Sequence, residues 1–142
     1  DSRPEMRLPP YCRVGLAALG LVLFALLGTA AFLDPDPGGF GTHQQLGLPP
    51  CSFISWFDMR CPSCGMTTAW SHMLHGHVIR SFQANAGGAV LVLTALLAGP
   101  WLTISAIRGT WCWRRPDEWT MVIGALSVLA ITLVDWCLRI VF

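Results

Sequence analysis

Cys61-Pro62-Ser63-Cys64-Gly65 sets two thiols three positions apart, and Cys51 stands ten residues before the first of them. A Cys-Pro-x-Cys-Gly turn aims two thiolates and nearby backbone N–H groups at one point, which is half of a zinc knuckle. A closed zinc site needs four ligands. Cys51 is the candidate third, and His43, on the same polar stretch, is the candidate fourth. If a helix runs on from Cys64, His75 lies about 16 Å along its axis and His72 about 12 Å, too far to share a metal with that sulfur. Two other chemistries suit the same thiols. A cysteine at a helix start has a lowered pKa and can act in thiol redox exchange. The plainest alternative is a structural disulfide from Cys51 to Cys61 or Cys64, which in an oxidising compartment would stabilise the loop by roughly 2–3 kcal/mol. Disulfide, metal and redox readings all remain open at this point.

The elements that must hold these thiols are apolar. The chain has 142 residues, 54% hydrophobic and 12% charged; soluble domains carry about 25% charged residues. Three runs are long enough to span a bilayer of about 30 Å: 14–33, 86–107 and 120–138. Gly28-Thr29-Ala30 has the small residues of a leader-cleavage site, but the run before it is long for a leader and reads as an uncleaved anchor. Gly99-Pro100 lies inside the second run, where proline's missing N–H predicts a kink at Pro100. Asp135 in the third run precedes Arg139 by four, the spacing of a helical ion pair, and a position near the helix end predicts snorkelling to the interface. Gly15, Gly20, Gly28, Gly124 and Ser127 are small enough to serve as helix-packing surfaces.

Loop 34–85, between the first two runs, carries the cysteines. It is short for an independent core. Two short helices are expected in it, Cys51–Phe57 and about Pro62 to His75, the latter stopped by Gly76. On the second, Cys64, Thr68, Ser71 and His75 fall on one stripe, which predicts an amphipathic helix in the membrane interface. The fold class is therefore all-α: one membrane domain, 1–142, with three transmembrane helices and short interfacial helices between the first two.

Arginine placement orients the chain. Arg3, Arg7, Arg13, Arg108, Arg114 and Arg115 flank one side, against Arg60, Arg80 and Arg139 on the other. The positive-inside bias puts the N-terminus in the cytoplasm and the cysteine loop outside. Trp111, Trp113 and Trp119 then form an inner aromatic belt. A net charge of +1 carries no nucleic-acid footprint.

Leu48-Pro49-Pro50-Cys51, the stretch Cys61-Pro62-Ser63-Cys64-Gly65-Met66-Thr67-Thr68-Ala69, Gly76-His77 and Asn85-Ala86 resemble a bacterial membrane family defined as a domain of unknown function. The family's signature is Cys-Pro-x-Cys-Gly-x-Thr-Arg, preceded by another Cys, and the resemblance spans roughly 34–107. It implies a small multi-spanning membrane protein and no particular activity. Thr68 stands where that family commonly has Arg. The combined expectation is a non-catalytic accessory subunit of the bacterial inner membrane, contacting lipid and a membrane partner or a second copy. Its outside loop would be stapled or, with zinc as the candidate ion, metallated. The alternatives are a thiol-redox or metal-binding module and a transporter or channel component.

Overall fold

The computed structural model describes residues 7–113 and 115–141, so Arg3 and Arg114 lie outside the described residues. Three long helices form its frame: α1 (Pro10–Phe32), α5 (Ala86–Arg108) and α6 (Glu118–Val141). All three are long and apolar enough to cross a membrane. Between α1 and α5 the chain forms a helical cap. It consists of a 3-10 helix (Thr42–Leu46), α2 (Ser52–Phe57), α3 (Met66–Leu74) and α4 (Val78–Ala84). No strand occurs among the described residues, beyond an isolated bridge between Arg7 and Thr110.

α5 is central, with α1 and α6 packed antiparallel to it. Close approach depends on missing side chains, as is usual between membrane helices. A Cβ at Gly20 of α1 would overlap Thr103 of α5, and one at Gly87 of α5 would overlap Thr132 of α6. Of the small residues expected to pack, only Gly20 does so; Gly15, Gly28 and Gly124 face open space. α6 instead presents Thr132, its one buried residue. Much of the remainder of α6 is exposed and apolar, including Met121, Val122, Ile123, Leu126, Leu129 and Val134. α5 continues without a break through Pro100, although the carbonyl of Leu96 can receive no N–H from that position.

Arg13 ties the other ends of α1 and α5 together. Its Nε donates to the Ala106 carbonyl at 2.9 Å and its Nη2 to the Ile107 carbonyl at 3.1 Å. These are carbonyls of the last turn of α5, which lack helical partners.

The cap is joined to the frame by an apolar cluster and a polar one. Met73 of α3 packs with Leu27 of α1 and with Ala89, Val92 and Ala95 of α5. Around it, buried hydroxyls bond across elements. Thr68 pairs with Thr42 at 2.8 Å, Ser71 donates to the Leu33 carbonyl, and Ser81 donates to the Ala69 carbonyl at 2.7 Å. The polar stripe of α3 is thus turned inward: Thr68 and Ser71 are fully buried. Of the expected stripe only His75 is exposed, at the C-terminal cap.

Candidate functional site: a three-thiol cluster

Cys51 caps the start of α2, and that helix closes with Asp58 in a left-handed conformation (φ 53°), which returns the chain toward Cys61. The expected helix start at Pro62 is displaced. Residues 62–65 form turns, closed by Cys64 N–H to the Cys61 carbonyl at 3.0 Å and Met66 N–H to the Ser63 carbonyl at 3.1 Å. α3 starts only at Met66, because Gly65 takes φ 86°, which no α-helical residue adopts. A Cβ there would stand 2.6 Å from the carbonyl oxygens of both Ala84 and Gly39. Only glycine lets the turn seat this deeply.

The outcome is a cluster of three sulfurs. Cys51 Sγ and Cys61 Sγ are 3.6 Å apart. Together with Cys64 Sγ, they lie within 4.8 Å of one another. Cys61 Sγ also lies 3.2 Å from Ser63 Oγ. Cys64 is buried, while Cys51 and Cys61 are half-buried. A cavity of about 220 Å³ adjoins them, lined in part by His43, Ser63, Thr67 and Thr68. His43 shares this cavity, but its Nε2 is 3.3 Å from the Pro49 carbonyl and it is not a member of the sulfur group. His72 and His75 lie elsewhere.

The thiols are not equivalent. The Phe53 backbone N–H beside Cys51 holds its pKa below the ordinary thiol value, against some desolvation. Burial pushes Cys64 up, and the neighbouring Cys61 and Cys51 charges add to that rise. A cation bound among the three would offset this mutual repulsion.

Three distant side chains hold the turn. Asn85, fully buried, donates through Nδ2 to the carbonyls of Pro62 at 3.0 Å and Cys64 at 3.2 Å. Its Oδ1 accepts from Gly88 N–H at 2.7 Å, capping α5. Arg139 Nη1 donates to the carbonyls of Cys64 at 3.2 Å and Ala84 at 3.0 Å. Trp136 Nε1 donates to the Arg60 carbonyl at 2.6 Å. Arg139 is ion-paired with Asp135, which also accepts from Ala86 N–H, the first residue of α5, at 3.2 Å. The pair therefore forms. Its side chains are only 18% and 20% exposed, and the guanidinium is spent on protein carbonyls. Asn at a helix start is a sequence-level signal that Asn85 caps α5. No such signal links Trp136 or Arg139 to the cysteine turn.

The fold and this site define a helical, multi-pass membrane protein with a cysteine-bearing cap. Residues 51–99 match the family described as "Protein of unknown function (DUF2752)". The match is shorter than the 34–107 expected; it takes in all three cysteines and Asn85 but neither Asp135 nor Arg139. No curated protein and no solved structure matches the chain.

Proposed function

We propose that this protein is a single membrane domain serving as a non-catalytic accessory subunit, and that its cap is closed by a soft metal ion on Cys51, Cys61 and Cys64. The observation that carries this reading is the sulfur geometry. A disulfide needs about 2.05 Å between sulfurs. A tetrahedral ion with Zn–S of about 2.3 Å holds its sulfurs about 3.8 Å apart. The 3.6 Å between Cys51 and Cys61 is close to the second value. Thiolate ligands select zinc, copper(I) or iron–sulfur species among available metals. Zinc would complete its shell in the adjoining cavity, from His43 after a ring shift or from water.

Elemental analysis of protein purified without chelator tests this. One zinc or copper ion per chain is expected, lost in Cys51→Ser and in Cys61→Ser. Metal-free protein that takes up neither ion under reducing conditions would refute it. A mass lower by two hydrogens would replace the metal with a Cys51–Cys61 disulfide, the second reading, which the proximity of these two sulfurs favours.

The proposed setting is the bacterial inner membrane, with the N-terminus and the α5–α6 connection cytoplasmic and the cap outside. Arginine distribution supports it, including Arg13 and Arg108, which lie at the same end of the α1–α5 pair.

A further inference from the structure

A second cavity, of about 440 Å³, opens on another part of the cap, between the 37–39 turn, Arg60 and the α3–α4 pair. Its polar lining comes from Arg60, His72, Arg80 and Gln83, and no carboxylate is among the lining residues. Arg80 makes no hydrogen bond or ion pair with any described residue, and Arg60 only stacks its guanidinium over the Phe40 ring, 4.1 Å from the centroid. His72 is 5% exposed, yet its Nδ1 has no hydrogen-bond partner. Buried polar atoms without partners are rare and costly. Two guanidiniums opening on one cavity with no carboxylate in its lining repel one another there. An anion in the cavity would offset that repulsion.

We infer that this cavity binds a phosphate group, held by Arg60 and Arg80 and bordered by His72 and Gln83. Guanidinium forks match phosphate oxygens in pairs, which is why arginine recurs at such sites. The Gln83 amide adds a neutral donor. Pro37, Gly38 and Gly39 keep the opposite wall free of long side chains. Burial first, and then the charges of His77, Arg80 and His75, push the His72 imidazole down. The shared chemistry is a phosphate oxyanion, carried either by a lipid headgroup or by free phosphate. The inference does not depend on the metal proposed at the cysteines.

The test uses the full chain. In phospholipid-free micelles, thermal unfolding is followed as inorganic phosphate replaces chloride at constant ionic strength. In parallel, nanodiscs of phosphatidylcholine with and without phosphatidylglycerol are examined by native mass spectrometry for retained lipid. Stabilisation by phosphate assigns the site to the free anion; selective retention of phosphatidylglycerol alone assigns it to a headgroup. Either way Arg80→Gln, at an exposed position, should weaken the response about tenfold or more. Arg60→Gln should do the same. Absence of a response in both arms, or an Arg80→Gln response equal to that of the unaltered chain, overturns the inference.

Discussion

Arg139 Nη1 lies 3.2 Å from the carbonyl oxygen of Cys64, a residue 75 positions earlier in the chain. This bond joins the end of α6 to the cysteine turn. It makes the third membrane helix part of the site's support rather than only an anchor. Asp135 completes the link by pairing with Arg139 and accepting from the first N–H of α5, where the helix dipole favours a negative charge.

Arg139→Met should therefore loosen the cysteine turn. It leaves Asp135 without its partner and two carbonyls without a charged donor. A loss of about 2–4 kcal/mol is expected, measured by unfolding in detergent. Alkylation of Cys61 and Cys64 should accelerate while α6 stays inserted. Unchanged alkylation rates would show that the turn stands without α6.

Gly65→Ala should be among the most damaging small substitutions. The left-handed conformation alone costs a non-glycine residue about 1–2 kcal/mol. The new methyl would also press on the Ala84 and Gly39 carbonyls. The expected result is a clear drop in unfolding temperature together with loss of metal retention; normal values for both would contradict the tight seating of the turn.

Thr68→Val keeps shape but removes a fully buried hydroxyl bonded to Thr42. Thr42 also accepts from Asp36 N–H at 3.0 Å, so the loss reaches the 34–39 turn. A cost of about 1–2 kcal/mol is expected. The double variant Thr42→Val/Thr68→Val separates the shared bond from the individual ones: the two effects should add to less than their sum.

The metal-free, reduced thiols should titrate in a set order. Cys51 has a lowered pKa and Cys64 a raised one. Cys51 should thus become alkylatable at lower pH than Cys64, as read by mass spectrometry of each peptide across a pH series. The sign for stability follows. The raised Cys64 pKa favours the folded state below the unfolded thiol value, and that contribution is lost as pH rises. The lowered Cys51 pKa contributes above the unfolded value and is lost as pH falls through the folded one. Identical midpoints for the two peptides would refute the difference in environment.

An epitope inserted after Gly47, which faces open space, should be reached by antibody on spheroplasts before the inner membrane is permeabilised. Access only after permeabilisation would reverse the proposed orientation.

The apolar runs determined, without coordinates, that this is an all-helical chain with three membrane-length helices. The runs read as 14–33, 86–107 and 120–138 became Pro10–Phe32, Ala86–Arg108 and Glu118–Val141. Hydropathy over some twenty residues is a local property, and burial in lipid requires no knowledge of neighbours. The short helix after Cys51 and the stop at Gly76 were legible for the same reason, since turn and cap chemistry is written in adjacent residues. Tertiary structure alone decided where polar groups found their partners. Nothing in the spacing of Asp135 and Arg139 distinguishes a snorkelling pair from one that reaches across to Cys64 and Ala84. The start of α3 likewise depended on the carbonyls of Gly39 and Ala84 crowding Gly65. The polar stripe of α3 could have faced headgroups, but it found Thr42, Leu33 and the frame instead. A hydrogen bond removed from water is satisfied by whichever element packing brings near, and that choice is made in three dimensions.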